Sequence, residues 1–425
     1  MTSFLFGILL LLFALFGTSL FVIIAAVALS AFYFAEIDSS AVIIELYRLA
    51  SQPILLAIPL FTFAGYLLAE SNTPQRLVAL SRAFFGWLPG GLGIVTLVSC
   101  AIFTAFTGAS GVTIIALGGL LYPVLKKENY PEKFNLGILT ASGNLGLLFP
   151  PSLPIILYGL ISETSIDKLF IAGIIPGLLM VALMSLYSVN RMYKVNPNVE
   201  SFSAKKAWQA TKNAVWEIPL PFIILVGIYG GFFTVTEAAA VTAFYVLIVE
   251  VFIYKEVSLT KGLPKVMKDS MILVGGILVI LSAAMGLANY MIYDEIPMQI
   301  LEWMKNFITS KVAFLLVLNL FLLVVGALMD IFSAILVIVP LITPIAMEFG
   351  VDPVHLGVIF LANLGIGYST PPVGMNLFIA SFRFEKPVLK LYVATIPFLI
   401  ILLIALALIT YIPELSLWLV DFVGV

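Results

Sequence analysis

The sequence predicts an all-α polytopic membrane protein built as an inverted repeat, with two re-entrant helical hairpins and two broken helices. Hydrophobic residues make up 62% of the 425 residues and charged residues only 10%, which excludes an ordinary soluble domain. Two apolar segments are each interrupted by Asn-Leu-Gly followed by Pro-Pro. The triplets begin at 144 and 363, 219 residues apart, and the proline pairs at 150 and 371, 221 residues apart. This near-constant spacing indicates a duplicated fold.

The first half opens with two apolar stretches, 4–31 and 53–70, which are long enough to cross a bilayer. The first contains no Lys or Arg and no cleavage pattern after a short core, so it predicts a retained span rather than a signal peptide. Residues 73–87 then mix arginines with apolar residues at helical spacing, which is typical of an interfacial helix.

Two shorter apolar pieces follow within about 92–125, on either side of the glycine-rich segment 108–111. Neither piece comfortably reaches the roughly 20 residues that a crossing needs, so we expect a re-entrant hairpin with its tip at these glycines. The second half offers a counterpart at about 312–347, with a tip at 326–330. Asp330 is the exception to its apolar character, and a carboxylate at this depth is costly unless paired, protonated or bound to an ion.

The broken helices are predicted at 135–160 and 356–381. Glycines, prolines and asparagines in mid-membrane cannot face lipid, because every backbone polar group there must be satisfied within the protein. The breaks should therefore face protein or a cavity. A broken helix presents loose carbonyls from its first half and loose N–H groups from its second, which suit a small cation and an anion respectively.

The other predicted elements complete two halves. We expect a first repeat at 1–189, a cytoplasmic linker at 190–217, and an extra span plus a second repeat at 218–425. The remaining predicted spans are 169–189, 218–234, 237–254, 270–289 and 390–412.

Loop charges indicate that the halves have opposite orientations. The loop 126–133 after the first hairpin has three Lys and two Glu, whereas 348–355 after the second has two acids and no Lys or Arg. Beyond the broken helices the signs reverse, with two acids and one Lys in 162–168 and three bases and one Glu in 383–390. Because short basic loops stay cytoplasmic, nine crossings alternate consistently, with the N-terminus inside and the C-terminus outside. This is the build of a secondary transporter with its site at the midplane.

Enzyme chemistry is not expected. Cys100 is the only cysteine, so thiolates can build neither a disulfide within the chain nor a metal cluster. The only histidine, His355, is expected in an outer loop, and a base, nucleophile or metal constellation inside the membrane is missing. No Gly-x-x-x-x-Gly-Lys-Ser/Thr segment occurs, which is consistent with coupling to an ion gradient.

Several motifs in order resemble the large membrane subunit of tripartite ATP-independent periplasmic (TRAP) transporters of the dicarboxylate-permease type. They are FTGASGVTIIALGG at 106–119, FPPS at 149–152, GFFTVTEAAA at 231–240, DPVHLG at 352–357 and PPVGMNL at 371–377. The resemblance covers essentially the whole chain. Val235 departs from it, because the family usually has Pro between the two threonines there.

The resemblance implies sodium-coupled import of an organic acid, either a dicarboxylate or a sialic-acid-like carboxylate, by an elevator movement in a bacterial inner membrane. It also implies two partners, a small four-helix membrane subunit and a periplasmic substrate-binding protein, and no cofactor beyond Na⁺ as the coupling ion. The alternative is a stand-alone sodium-coupled dicarboxylate or citrate transporter of the related elevator class. A passive channel is less compatible with paired inverted hairpins.

By analogy with the family, sodium would lie between each hairpin tip and the neighbouring broken helix, held by hard oxygen ligands. The predicted sodium-binding residues are Gly108, Ser110, Ser142, Asn144, Gly146, Gly326, Asp330, Asn363, Gly365 and Thr370. The substrate carboxylate would lie at the N-termini of the second half-helices. The predicted substrate-binding residues are Ser110, Pro151, Ser152, Thr370, Pro372, Val373, Gly374, Met375 and Asn376.

Simpler interpretations of the same residues stay open. The small residues would equally allow close helix packing, and Asp330 would equally cap a helix. Arg383, the nearest arginine, is most simply a cytoplasmic topology anchor.

Overall fold

A computed structural model describes residues 18–38, 40, 43–44, 47, 51–88, 90–192 and 201–424. Its regular elements in these ranges are all helices, without a strand, which confirms the all-α prediction. The predicted first span at 4–31 is described only from residue 18 onward. Residues 193–200 of the predicted linker lie outside the described ranges.

Among the described residues, the first half has nine helices with defined bounds, numbered here in chain order, and two short 3₁₀ turns. The helices are α1 (Leu20–Phe34), α2 (Ala57–Glu70), α3 (Thr73–Phe85), α4 (Gly91–Thr107), α5 (Ser110–Lys127), α6 (Glu132–Ser142), α7 (Leu153–Ile161), α8 (Ile166–Ala172) and α9 (Ile174–Met192). The 3₁₀ turns are Pro53–Leu56, which leads into α2, and Leu145–Leu148, which lies between α6 and α7.

The second half repeats this order after a linker helix. Its helices are α10 (Ala204–Asn213), α11 (Pro219–Tyr229), α12 (Val235–Leu247, continued by a π-helical turn, Ile248–Ile253), α13 (Gly262–Tyr293), α14 (Ile296–Lys305), α15 (Lys311–Leu328), α16 (Ile331–Glu348), α17 (Pro353–Gly367), α18 (Met375–Phe384), α19 (Val388–Tyr411) and α20 (Glu414–Val423).

The described residues include seven helical segments long and apolar enough to cross a membrane, or eight if the bent pair α6–α7, with its 47° angle, counts as one span. This set differs from the nine crossings predicted above. Both arms of the second hairpin, α15 and α16, qualify at 18 residues each, whereas the predicted span 218–234 contains only the 11-residue helix α11. The hairpin arms are thus longer than expected, at about 27 Å for 18 residues.

The order of helices within the halves explains how the site is assembled. In each half a long helix leads to a short amphipathic helix (α3 or α14), a hairpin (α4–α5 or α15–α16) and a broken helix (α6–α7 or α17–α18). The sequence predicted α3, whereas α14 was missed. The returning arm of each hairpin packs on the other half's broken helix, α5 against α18 and α16 against α7. This exchange brings both hairpin tips and both breaks to the centre.

Candidate functional site

A buried chain of side-chain hydrogen bonds joins the first hairpin tip to both breaks. Ser110 Oγ, at the start of α5, donates to Asn376 Oδ1 over 2.8 Å. Asn376 Nδ2 donates to Asn144 Oδ1 over 2.8 Å, and Asn144 Nδ2 donates to Ser369 Oγ over 3.1 Å. All four side chains are buried. Three of them were predicted site residues, and the structure adds Ser369.

Glycines let the first hairpin tip approach the first break. Gly108 has a φ of +65°, and a Cβ there would lie 2.7 Å from Leu153 Cβ. At Gly146 a Cβ would lie 2.3 Å from the Ala101 carbonyl oxygen, and at Gly365 it would lie 3.4 Å from Asn144 Cβ. Close packing is therefore one role that the structure gives Gly108 and Gly146, whereas a Cβ at Gly365 would make only an ordinary contact.

A hydroxyl pair that the sequence reasoning missed lies beside this tip. The Thr104 and Thr113 hydroxyl oxygens are 2.6 Å apart, and Thr104 Oγ1 donates to the Gly143 carbonyl oxygen over 3.0 Å. Gly143 ends α6, so the pair links both hairpin arms to the first break. The neighbouring Ser142 is buried and donates to the Leu139 carbonyl oxygen over 3.3 Å. The sequence feature that could have predicted this pair is one threonine on each side of a glycine-containing hairpin tip.

At the second hairpin tip, Asp330 is a helix cap. Its Oδ1 accepts a hydrogen bond from Ser333 N over 3.0 Å at the start of α16, and the side chain is half-buried. Tyr368, at the second break, accepts a hydrogen bond from Ile331 N through its hydroxyl. Gly374 N donates to the Ala327 carbonyl oxygen over 2.9 Å, which ties this tip to the second break as well.

Close backbone packing accompanies these bonds. A Cβ at Gly326 would lie 3.0 Å from Leu364 Cα, and one at Gly367 would lie 2.6 Å from Gly326 Cα. The predicted residue Gly326 therefore lies directly against α17.

The two Asn-Leu-Gly triplets differ in local structure. Asn144 lies just beyond the end of α6, whereas Asn363 lies inside α17, which continues to Gly367. Asn363 Nδ2 donates to Asn319 Oδ1 over 2.7 Å and to the Ile359 carbonyl oxygen over 2.8 Å. Its Oδ1 is buried without a hydrogen-bond partner. Asn363 thus faces α15 rather than the Ser110–Asn376–Asn144–Ser369 chain.

The two breaks also differ in accessibility. At the first break, Pro151 and Ser152 are buried, and Ser152 Oγ has no hydrogen-bond partner. At the second break, the predicted residues Pro372, Val373 and Met375 are exposed, Thr370 is partly buried and bonds the Ile366 carbonyl oxygen over 2.9 Å, and Gly374 is buried. The Pro150–Pro151 and Pro371–Pro372 bonds are both cis.

The site is polar but carries little formal charge. The connected side chains are hydroxyls and amides, and no group of three or more His, Cys, Asp or Glu residues able to hold a metal ion occurs in the described residues. The N-terminus of α18 lies at the exposed second break. One of its N–H groups, that of Asn376, already donates to the Tyr368 carbonyl oxygen over 3.0 Å. Hydroxyl, amide and carbonyl oxygens of this kind suit an alkali cation.

His355 requires a correction. The sequence placed it in an outer loop, but it lies in the first turn of α17 and is buried. Its ring nitrogens lie 3.1 Å from Ser416 Oγ and 3.3 Å from the Thr410 carbonyl oxygen. It therefore ties α17 to α19 and α20. Local sequence alone did not show this packing, because the partners lie 55 and 61 residues away.

Two hairpins and two broken helices around a buried polar centre define a secondary membrane transporter. Comparison with known protein families leads to the same class of protein. Residues 6–415 match the family "Tripartite ATP-independent periplasmic transporter, DctM component". The chain belongs to this family, the large permease component of these transporters. Such a component implies a multi-span protein of the bacterial inner membrane that works with a second membrane subunit and a periplasmic binding protein.

Individual relatives differ in their named substrates. The chain is 38% identical, over 93% of both chains, to the C4-dicarboxylate TRAP transporter large permease protein DctM of Pseudomonas aeruginosa. It is 32% identical, over 86% of both chains, to the ectoine/5-hydroxyectoine large permease protein UehC of Ruegeria pomeroyi. Among solved structures, the Alcanivorax borkumensis YdaH transporter shares the fold, with a TM-score of 0.62 at 16% identity over 90% of this chain and 88% of that one.

Proposed function

We propose that this chain is the large membrane subunit of a sodium-coupled importer that takes up an organic acid by an elevator movement. The observation that carries the proposal is the buried chain Ser110–Asn376–Asn144–Ser369, which joins a hairpin tip to both broken helices. A substrate or ion that changes the position of any of these side chains acts on both halves at once. Organic acids are the proposed class because C4-dicarboxylate permeases are among its relatives.

Sodium is assigned to the oxygen-rich surroundings of the two hairpin tips. The first tip offers Ser110, Ser142 and Asn144 with the main chain at Gly108 and Gly146. The second offers Asp330, Thr370 and main-chain oxygens near Gly326, and Asn363 Oδ1 lies nearby with its hydrogen-bonding capacity unused. We infer that sodium orders these groups before the substrate binds at the second break.

Unequal exposure of the two halves supports alternating access. The half-helix α7 is buried between α2 and α16. Its counterpart α18 leaves an apolar face uncovered, with Phe378 48% and Phe382 89% exposed. Pro372, Val373 and Met375 at the second break are exposed, and the loop after α18 is basic. We therefore assign the second break to the cytoplasmic side and the structure to an inward-open state. The same rule puts the N-terminus in the cytoplasm and the C-terminus in the periplasm.

The small four-helix subunit and the periplasmic binding protein are the proposed partners. The isethionate permease DctMQ of Oleidesulfovibrio alaskensis, 36% identical, matches 93% of this chain but only 61% of its own length. The remaining length of that relative is compatible with a fused second membrane subunit.

Reconstitution tests the proposal. The chain, its small subunit and its binding protein are placed in liposomes, and uptake of a labelled C4-dicarboxylate is followed with and without an inward sodium gradient. We expect uptake only with the gradient and the binding protein. Equal uptake without sodium rejects sodium coupling, and full uptake without the binding protein favours the stand-alone alternative.

A further inference from the structure

Helices α5 and α18 pack against each other along their length. The α5 residues at this contact are small. At the site end, Ser110 bonds Asn376. One residue further, a Cβ at Gly111 would lie 2.7 Å from Ile379 Cδ1. At the other end the adjacent pair Gly118 and Gly119, called here the glycine notch, accepts two long side chains of α18.

Arg383 is seated on this notch. A Cβ at Gly119 would lie 1.7 Å from an Arg383 Nη2 atom, so any side chain there displaces the guanidinium. Arg383 Nε donates to the Ile115 carbonyl oxygen over 2.8 Å. Pro123 has no N–H, so the Gly119 carbonyl lacks its usual helical donor, and the positive group lies over this electron-rich turn. Phe384 fills the other half of the notch, with its Cζ 2.9 Å from the position of a Gly118 Cβ.

Contacts beyond the notch support the same pairing. Lys386 Nζ forms a 2.7 Å ion pair with Glu132 Oε1, which also accepts a 3.2 Å hydrogen bond from the Tyr122 hydroxyl. The Tyr122 and Phe384 rings have centroids 5.0 Å apart. The ion pair is partly exposed and adds little to stability. Arg383 is exposed as well, but Phe384 is buried, so the fit of these two side chains on the glycine notch has the larger share in fixing the geometry.

We propose that Arg383, seated on the glycine notch, is a positioning residue for substrate binding: it fixes α18 on α5 and thereby holds Asn376 in register with Ser110. This rests on the proposed function, since Asn376 lies at the proposed substrate site. Arg383 does not touch the substrate in this assignment. It acts two turns away, through the rigid body of α18.

A double-mutant experiment tests this assignment. The variants Arg383→Ala, Gly119→Ala and their combination are compared by the substrate dependence of uptake in liposomes. We expect KM to rise about tenfold in each single variant, with Vmax nearly kept, and no further rise in the combination, because both changes remove one interaction. Arg383→Lys should restore part of the affinity, since it keeps a positively charged N–H donor group. Gly275→Ala is the matched control, because a Cβ there has nothing within 4 Å.

A second readout is independent of transport. Hydrogen exchange of the purified complex should be faster in the first turn of α18 in Arg383→Ala, with α17 unchanged. Additive KM effects, an unchanged KM in Gly119→Ala, or unchanged exchange in α18 would each overturn the positioning role. Lack of sodium-driven uptake by the unmodified complex would instead contradict the proposed function, while the exchange result would still test the contact.

Discussion

The two amides at the centre are matched to each other. Asn376 accepts from Ser110 through Oδ1 and donates to Asn144 through Nδ2, so turning one amide alone loses a bond, and only a reversal of both amides together keeps the hydrogen bonds. Leaving a buried polar partner unsatisfied costs about 1–3 kcal/mol. A small change in this chain of hydrogen bonds should therefore have a large effect on function.

Replacing Asn376 by Ala tests the hydrogen-bond chain Ser110–Asn376–Asn144–Ser369 directly. It removes both bonds and leaves the Ser110 hydroxyl and the Asn144 carboxamide oxygen without these partners. We expect the initial rate of sodium-dependent uptake to fall more than about tenfold, on the scale of a lost buried hydrogen bond. Asn213→Ala, at the exposed end of α10, is the control, and an equal fall there would remove any significance from the result.

Asp330 allows capping and ion binding to be separated. Asn caps a helix about as well as Asp, so Asp330→Asn should leave the unfolding temperature nearly unchanged. If the carboxylate also contributes to sodium binding, the sodium concentration for half-maximal uptake should rise, and this is the expected result. Unchanged sodium dependence would leave Asp330 with its cap role alone.

At the scale of elements, α3 is anchored by one buried cation. Arg76, with its side chain 11% exposed, bonds Glu217 and forms ion pairs with Glu256 at 2.7 Å and Glu250 at 3.3 Å. The Tyr254 ring lies 3.9 Å below the guanidinium. Glu217 and the stretch 250–256, both distant in sequence, are thus joined to α3, which also packs against the hairpin arm α4.

Removing this cation should destabilise the protein strongly. Arg76→Ala leaves three carboxylates together without their shared partner, and breaking a buried ion pair costs about 3–5 kcal/mol. We expect a clear fall in the unfolding temperature in detergent. Arg82→Ala on the same helix removes only an exposed 3.6 Å pair with Glu128 and should cost less than about 1 kcal/mol. Similar falls in both variants would contradict the anchor.

The anchor should also weaken in acid. Burial opposes ionisation of Glu256, but the Asn72 amide and the Arg76 guanidinium outweigh it, so its pKa lies below the ordinary 4.5. A lowered pKa stabilises the fold above the ordinary value, and this contribution disappears as the pH falls through the folded-state pKa. Unfolding temperatures should therefore fall in acid less steeply in Glu256→Gln than in the unmodified protein. Parallel curves would exclude this contribution.

The local sequence predicted the breaks and the hairpin tips better than it predicted which distant residues contact each other. Glycines and prolines located both breaks and both hairpin tips, because backbone needs are local. The partner of Asn363 could not be found in this way, because Asn319 lies 44 residues away on another helix. The amphipathic helix α14 was missed because it adjoins a long apolar helix, and the arms of the second hairpin, α15 and α16, are longer than the predicted apolar pieces.

The whole molecule is asymmetric although its halves are related. The first break is buried, and the half-helix α7 that follows it packs against α2 and α16, whereas the second break is exposed beside an uncovered α18. In an alternating-access cycle, each end state places the two related halves in different surroundings.

Cysteine labelling tests this asymmetry. Cys100 is buried, so the native thiol gives little background. A membrane-impermeant thiol reagent applied from the cytoplasmic side should modify Val373→Cys rapidly and Ser152→Cys slowly. Equal rates, or faster labelling of Val373→Cys from the periplasmic side, would contradict an inward-open state.

The length of α13 has a consequence for the surrounding lipid. Its 32 residues extend about 48 Å, against a hydrocarbon thickness of about 30 Å. The first two turns of α13 carry Lys265, Lys268 and Asp269, and Lys265 pairs at 2.9 Å with Glu70 at the end of α2, so this end of the helix lies at the polar boundary of the membrane. The remaining residues, 270–293, extend about 36 Å, which still exceeds that thickness. Tilting of α13 or local thickening of the bilayer must make up the difference, so the fit of this helix to the membrane should depend on acyl-chain length.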